Sequence, residues 1–280
     1  MTSGMAAGTQ TRHTDRQPGS VLRVFLVPQA LTVVKPLVVL AMGIGLWQIA
    51  VDLGWVPRTT LASPINVAGF VQANAAMLLQ HTGTTLMEVL LAFTIALTAG
   101  VVIAILVSEF KVLEESVLPL LVVSQVIPSI AIAPLLVLLL GFGMAPKVAT
   151  AAIIAFFPVL INTVAGLRML PRETRELGGV LNASRWQMLR MFSLPNALPY
   201  IFAGARVSIT LSVIGAVVGE FVTAQSGLGF LVLQGSATLN PPLLFSALFF
   251  LAIMGIGLFT IVRIVEWAVL PWARQVSGRA

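Results

Sequence analysis

The sequence contains no cysteine and very few charged residues. Of its 280 residues, 9% are Asp, Glu, Lys or Arg and 58% are hydrophobic, and the mean hydropathy is +1.00. A soluble domain carries about 25% charged residues, so this composition excludes a water-soluble surface over most of the chain. The absence of cysteine excludes disulfides, thiolate metal ligands and a catalytic thiol. The two histidines, His13 and His81, are far apart, so no metal site is expected.

The chain also lacks the sequence motifs of an ATPase or another enzyme. It has no G-x-x-x-x-G-K-[ST] phosphate-binding loop and no Gly-Lys pair, so ATP hydrolysis is not expected on this chain. No nucleophile lies in a pattern with a general base, and we expect neither catalytic residues nor a cofactor. The net charge of +6 does not indicate nucleic-acid binding, because membrane proteins collect Lys and Arg in their cytoplasmic loops.

Long apolar stretches dominate what remains. A transmembrane helix needs about 20 predominantly apolar residues, and six such stretches predict an all-α, polytopic membrane protein with about six transmembrane helices. The predicted spans are residues 36–54, 89–108, 116–146 (broken near 141–143), 148–167, 197–219 and 241–267.

The basic residues predict the orientation of these spans. Arg58 and Lys147 fall in loops on one side, and Arg206 lies within a span. All other Lys and Arg residues fall on the opposite side, which the positive-inside rule makes cytoplasmic, so both termini are expected in the cytoplasm. These residues are Arg12, Arg16, Arg23, Lys35, Lys111, Arg168, Arg172, Arg175, Arg185, Arg190, Arg263, Arg274 and Arg279.

Four regions follow from this pattern. Residues 1–20 are polar and lack the features of a signal peptide, and they are expected to form a disordered cytoplasmic tail. Residues 21–34 are expected to lie at the membrane interface, residues 35–272 to form the transmembrane domain, and residues 273–280 to form a cytoplasmic tail. A further stretch, residues 64–80, fits either an interfacial segment or an external loop.

The longest connection, residues 168–199, separates the fourth and fifth spans on the predicted cytoplasmic side. Pro171 suits the first turn of a helix, and Asn182 suits the left-handed residue that follows its end. Ser184 and Gln187 then predict a capping box at the start of a second helix. The Leu194-Pro195 pair is expected to end that helix, since proline cannot continue it.

The second helix of this connection carries an apolar face. Trp186 and Leu189 share that face, and Arg185 and Arg190 lie at its rim. Such a face either docks a partner protein or packs against the chain's own spans or the lipid headgroups. The sequence favours neither alternative.

The spacing within this connection resembles the EAA loop of binding-protein-dependent ABC importer permeases. The family pattern is E-A-A, three residues, G, nine residues, I, any residue, L-P. Here Glu176-Leu177-Gly178 begins the pattern, Asn182 stands in place of the glycine, and Phe192-Ser193-Leu194-Pro195 ends it. The resemblance covers about residues 60–275 and is strongest to the nitrate, sulfonate and taurine branch, with similarity to permeases for pyrimidine thiamine precursors or riboflavin. Other matching stretches are Ile132-Ala133-Pro134-Leu135, Gly141-Phe142-Gly143 and Ser226-Gly227-Leu228-Gly229.

The resemblance implies a multi-pass importer subunit in the cytoplasmic (inner) membrane. It implies a second copy of the permease, cytoplasmic ABC ATPase subunits that carry ATP and Mg²⁺, and an extracytoplasmic solute-binding protein. It also implies that the ATPase binds a coupling loop, here residues Glu176, Gly178, Asn182, Ala183, Ser184, Arg185, Trp186, Leu189, Arg190, Leu194 and Pro195.

Polar residues near prolines in the spans are candidates for the solute path, because proline frees backbone carbonyls that neighbours or a watery cavity must satisfy. Helix-packing contacts are an equal alternative, and Arg206 either attracts an anion, snorkels or forms a structural ion pair. Glu88 is expected to be solvated, and Glu220 to be structural or to contact the binding protein. The path candidates are Ser124, Gln125, Pro128, Ser129, Asn162, Thr163 and Arg206.

A self-sufficient secondary transporter or channel is the alternative function. Such carriers usually have inverted repeats and buried carboxylates for ion coupling, and the sequence predicts neither. A non-transporting scaffold would not need the spacing of the loop. The substrate stays open: sulfonates and nitrate are anions, whereas a pyrimidine or flavin is largely neutral, and Arg206 as one candidate charge does not separate them.

Overall fold

A computed structural model describes residues 21–57, 60–124, 128–223 and 225–271. Every regular element in these ranges is helical, which confirms the predicted all-α fold class. The helices are α1 (Val21–Asp52), α2 (Pro64–Ala73), α3 (Ala75–Glu109), α4 (Lys111–Ser124), α5 (Ser129–Leu140), α6 (Met144–Arg168), α7 (Arg172–Val180), α8 (Arg185–Met188), α9 (Leu194–Thr223), α10 (Leu228–Ala237) and α11 (Pro241–Val269).

The chain divides into two units. Helix α1 belongs to the first, and α2 to α11 belong to the second. Helix α1 is continuous from Val21 to Asp52 and includes both the predicted interfacial segment and the first predicted span. The interfacial placement of residues 21–34 remains a prediction.

Four helical segments in the described residues are long and apolar enough to cross a membrane: α3, α6, the run Arg185–Thr223 and α11. They coincide with the second, fourth, fifth and sixth predicted spans. The apolar part of α1, Val38–Asp52, is shorter. The third predicted span is divided into α4 and α5, and Pro128 caps the start of α5, where a missing N–H removes no helical hydrogen bond. The total of six spans therefore remains a prediction.

Residues 64–80 form α2 and the first turns of α3, so they are not an irregular loop. Ser63 caps α2 by accepting a hydrogen bond on Oγ from the Asn66 N–H at 3.2 Å, and Pro64 occupies the first helical position. An apolar cluster joins α2 to α3, α10 and α11. It consists of Leu78, Leu228, Leu231, Leu243 and Ala247, with Phe70 and Val71 packed against it.

Helices α6 and α9 form the core of the second unit, and small residues let their backbones approach closely. A Cβ on Gly204 would lie 2.9 Å from the Pro158 carbonyl oxygen, and one on Gly215 would lie 2.5 Å from Ala151 Cα. This is the small-residue packing typical of membrane helix pairs, where close van der Waals contact replaces the hydrophobic effect. Helix α3 packs against both helices, so α6 and α9 form a close pair with α3 beside it.

Candidate functional site

The connection between α6 and α9 folds into the predicted helix pair, which we call the coupling hairpin (residues 171–193). Helix α7 ends in a Schellman motif: the Asn182 N–H donates to the Gly179 carbonyl at 3.1 Å, and the Ala183 N–H donates to the Gly178 carbonyl at 2.9 Å. Asn182 has φ 49°, so its predicted left-handed conformation is confirmed. Asn supplies this turn because it tolerates positive φ better than most residues do.

The predicted capping box at the start of α8 is also confirmed. Ser184 Oγ accepts from the Gln187 N–H at 3.3 Å, and the Ser184 N–H donates to Gln187 Oε1 at 2.8 Å. The capping box satisfies two backbone donors and fixes the angle at which α8 leaves the turn.

The prediction that Leu194-Pro195 ends the second helix is wrong. A π-helical turn, Leu189–Ser193, joins α8 directly to α9, so Arg185–Thr223 is one continuous helical run. The Leu194 N–H donates to the Leu189 carbonyl, five residues back. This wider turn makes room for the Pro195 ring, which would otherwise crowd a carbonyl of the preceding turn.

Gly178 of α7 packs against Met188 of α8. A Cβ at this position would lie 2.5 Å from Met188 Cε and 2.7 Å from Met188 Sδ. These atoms are the end of a flexible side chain that can move aside, so the contact does not by itself require glycine in place of the family's alanine. Glu176 lies on the surface, where it forms an exposed ion pair with Arg172 at 3.2 Å, and such pairs contribute little stability.

The apolar face predicted for the hairpin is divided between two environments. Leu189 is buried in a cluster with Leu167, Ala197 and Ile201, so it packs against the chain's own helices. Trp186 is 66% exposed and borders a groove of about 280 Å³ against the end of α3. The groove is lined by Ile105, Leu106, Glu109, Phe110, Arg185, Trp186 and Leu189.

Asn162, one of the two path candidates on α6, faces α9. The Asn162 side-chain amide donates to the Pro158 carbonyl at 2.8 Å, and its Cβ lies 3.1 Å from the position a Cβ on Gly204 would take. Thr163 is fully buried. These contacts fit the helix-packing alternative. Ser124, Pro128 and Ser129 border the break between α4 and α5; Gln125 and the side chains of both serines lie outside what the structure describes.

Arg206 forms an ion pair between α9 and α11. Its Nη1 lies 3.3 Å from Glu266 Oε2, and the two side chains are 35% and 21% exposed. Of the three roles predicted for Arg206, the structure shows the ion pair.

Sequence reasoning missed a buried polar network at the end of the helices far from the hairpin. Glu88 of α3 is 1% exposed and Lys147 of α6 is 3% exposed, and Lys147 Nζ lies 2.9 Å from Glu88 Oε1. The prediction that Glu88 is solvated is wrong, and Lys147 is not in an exposed loop. Two opposite charges near the ends of two apolar spans are a signal for a possible pair, but the sequence does not show that these two spans are neighbours.

Glu220 of α9 continues this network. Its Oε1 accepts from the Thr85 hydroxyl at 2.6 Å, and its Oε2 accepts from the Gly229 N–H. Thr85 in turn accepts from the Leu228 N–H at 2.8 Å. We call Thr85, Glu88, Lys147 and Glu220 the buried network.

The buried network holds the turn between α9 and α10. In addition to its hydrogen bonds with Glu220 and Thr85, this turn is held by Lys147. Lys147 Nζ donates to the Ser226 carbonyl at 3.1 Å. The Gly227 N–H donates to His81 Nδ1 at 3.0 Å. Gly227 has φ +107°, and a Cβ there would overlap the Glu220 carboxylate. Only glycine fits this position, which gives a physical reason for the Ser226-Gly227-Leu228-Gly229 stretch.

Comparison with known proteins agrees with the helical architecture and shows the family. Residues 96–275 match the family described as "Binding-protein-dependent transport system inner membrane component". The chain belongs to this family. It is a multi-pass permease subunit of the inner membrane, and its relatives are transport permeases and not enzymes.

The permease is similar in sequence to three relatives whose names give a transported solute. It is 40% identical over 228 residues to the riboflavin transport system permease protein RibX of Chloroflexus aurantiacus, across 81% of this chain and 85% of that protein. It is 31% identical over 242 residues to the formylaminopyrimidine transport permease protein ThiX of Halalkalibacterium halodurans, across 86% and 96%. It is 29% identical over 246 residues to the putative aliphatic sulfonates transport permease protein SsuC of Bacillus subtilis, across 87% and 89%.

A solved structure shares the permease fold. An inward-facing structure of the MetNI methionine ABC transporter aligns with a TM-score of 0.57 at 20% identity, across 68% of this chain and 97% of that chain. At this identity the likeness concerns the fold alone. The family membership decides for an ABC importer permease over a self-sufficient secondary transporter.

Proposed function

We propose that the permease, with a second copy of itself, forms the path of an ATP-driven importer for a small, largely neutral heteroaromatic solute of the flavin or pyrimidine class. The observation that carries the substrate class is the Arg206–Glu266 ion pair. Arg206 was the one candidate for attracting an anion, and its charge is balanced by Glu266. Lys147 of α6 also pairs with a carboxylate, that of Glu88.

The similarities favour the same class. The relatives named for riboflavin and formylaminopyrimidine transport are 40% and 31% identical, and the one named for sulfonates is 29% identical. A flavin or pyrimidine is bound chiefly by stacking and a few hydrogen bonds, whereas a sulfonate requires a cation or several N–H donors.

The coupling hairpin is the proposed contact with a separate ATPase that binds ATP and Mg²⁺. Exposed apolar side chains on a polar hairpin are candidates for a contact with a partner protein. The apolar side chains are Leu177, Val180, Leu181, Trp186 and Met191. The predicted coupling residues Asn182, Ala183 and Ser184 set the angle between the two helices, and Arg190, Leu194 and Pro195 connect them to α9.

The remaining parts of the assembly follow from the family. We propose six spans, with α1 and the α4–α5 pair providing the two that complete the four long helical segments. Residues 35–272 then form the permease domain between cytoplasmic tails at residues 1–20 and 273–280. An extracytoplasmic solute-binding protein delivers the solute at the end far from the hairpin.

The double variant Trp186→Ala, Arg185→Glu tests the coupling hairpin. We expect it to lose co-purification with the ATPase and all ATP-dependent uptake, because an exposed aromatic anchor and a charge at its rim are removed together. Trp55→Ala, which removes an exposed tryptophan outside the hairpin, is the matched control and should assemble normally. Normal assembly and uptake in the double variant would refute the docking role.

Uptake by the complete complex in proteoliposomes tests the substrate class. With its binding protein present, we expect ATP-dependent accumulation of labelled riboflavin or a formylaminopyrimidine, and none of taurine or nitrate. Accumulation of the anions alone would overturn the proposed class while leaving the permease assignment intact.

A further inference from the structure

We propose that the buried network is a two-state joint, in which Lys147 exchanges Glu88 for Glu220 when the α6–α9 pair moves against α3. The exchange would release the turn between α9 and α10. This inference rests on the proposed function, because the movement is attributed to an ATPase bound at the hairpin.

The first argument is the position of the network along the helices. The coupling hairpin connects the end of α6 to the beginning of α9. Lys147 and Glu220 lie at the opposite ends of the same two helices, close to each other in space because Gly219 packs against the Lys147 backbone, with a Cβ there lying 2.7 Å from Lys147 Cα. A force applied at the hairpin therefore reaches the network through both helices.

The second argument is the rigidity of that helix pair. Gly204, Gly215 and Gly219 bring α9 into backbone contact with α6 at three levels. Closely packed helices move as one body, since packed interfaces have discrete arrangements and deform little. The α6–α9 pair is expected to shift as a unit relative to α3.

The third argument concerns which helices the bonds of the network connect. The Lys147–Glu88 ion pair and the Thr85–Glu220 hydrogen bond both run between α3 and the α6–α9 pair. A shift against α3 would break both together. It would leave Lys147 and Glu220 side by side on the moving pair, each without its partner from α3.

The fourth argument is that the Lys147–Glu88 pair has a second carboxyl group beside it. Lys147 pairs with Glu88, and the carboxyl groups of Glu88 and Glu220 adjoin each other. A small displacement would therefore offer Lys147 an alternative partner, and a partner protein that favours the displaced arrangement could select it.

Glu220 links this exchange to α10. Its carboxylate accepts from Gly229 N and Thr85 Oγ1, and Thr85 accepts from Leu228 N. An ammonium group that pairs with Glu220 would compete with these donors and loosen the start of α10. The joint thus converts a movement at the hairpin into a change at the start of α10.

Glu220→Gln is the decisive variant because it removes one of the two states and keeps the other. Its amide oxygen can accept from Gly229 N, its amide nitrogen can donate to Thr85 Oγ1, and the Thr85 hydroxyl can turn to the His81 carbonyl at 3.2 Å. Lys147 keeps Glu88. We therefore expect a folded permease with a melting temperature at least equal to the wild type, and normal co-purification of the ATPase.

The readout is uptake per ATP hydrolysed, together with hydrogen–deuterium exchange of residues 228–237. In Glu220→Gln we expect uptake to fall on the order of ten-fold and ATP-dependent exchange of α10 to disappear. Thr85→Val is the second variant. It removes a bond that holds the observed state, so faster exchange of α10 without ATP is expected.

Glu220→Gln with wild-type uptake and wild-type exchange would overturn the inference, since a purely structural network tolerates a stable neutral replacement. The same holds if Glu220→Gln unfolds while Thr85→Val leaves exchange of α10 unchanged. Neither result bears on the proposed function, which fails instead if the hairpin variant still binds its ATPase.

Discussion

Lys147→Met is expected to remove most of the folded permease from the membrane. Lys147 is buried and pairs with Glu88 at 2.9 Å, and Glu220 adjoins Glu88. Without the ammonium group, two buried carboxyl groups lie together without a counter-charge. Breaking a buried ion pair by removing one partner costs about 3–5 kcal/mol, a large part of a typical net stability of about 5–15 kcal/mol. The measurement is the yield of monodisperse permease in detergent, together with its melting temperature.

Two controls show whether the lost stability comes from the burial of the charges or from the removal of any charge. Arg172→Met removes the cation of the exposed Arg172–Glu176 pair and should change stability by less than about 1 kcal/mol. Adding Glu88→Gln to Lys147→Met removes one of the two uncompensated carboxyl groups, so the double variant should recover part of the lost stability. A Lys147→Met protein as stable as the wild type would contradict the stabilising role of the Lys147–Glu88 pair.

Gly215→Leu is expected to separate α6 from α9. A Cβ at this position would lie 2.5 Å from Ala151 Cα and 3.1 Å from Ala151 Cβ, and the first of these is a backbone atom that cannot turn away. Overpacking costs about 1–3 kcal/mol even where side chains can adjust, so a larger loss is expected here. A fall in melting temperature and loss of the folded peak in size-exclusion chromatography would record it.

Gly257→Leu is the matched control for this change. Gly257 lies on α11, and a Cβ there meets nothing within 4 Å. Gly257→Leu introduces the same side chain into another long apolar helix, so the stability of this variant should be nearly unchanged. Equal melting temperatures for the two variants would contradict the close packing of α6 and α9.

The coupling hairpin could be predicted in detail because its signals are local. Asn182 takes a left-handed conformation, and the Ser184–Gln187 capping box forms through bonds between residues three apart. The one error, the helix end at Leu194-Pro195, came from treating proline as a stop. The π-helical turn before it accommodates the ring, and no short-range pattern announces such a turn.

The buried network could not be predicted in the same way. Glu88, Lys147 and Glu220 are separated by long stretches of sequence, and each lies near the end of an apolar span where a solvated position is equally reasonable. Their contact depends on how α3, α6 and α9 are rotated about their axes. That rotation follows from the small-residue packing of the helices, which the hydropathy pattern does not contain.

The amino-acid sequence by itself determined that the chain lies in a lipid bilayer, its class of fold and the shape of the hairpin. So few charges in so apolar a chain leave the bilayer as the only suitable environment, and capping residues act on neighbours within a turn or two. The tertiary structure alone decided which charges meet, because a bond between two helices exists only once both have a fixed rotation and depth. Among the described residues, Arg206 with Glu266 and Lys147 with Glu88 are pairs decided in this way.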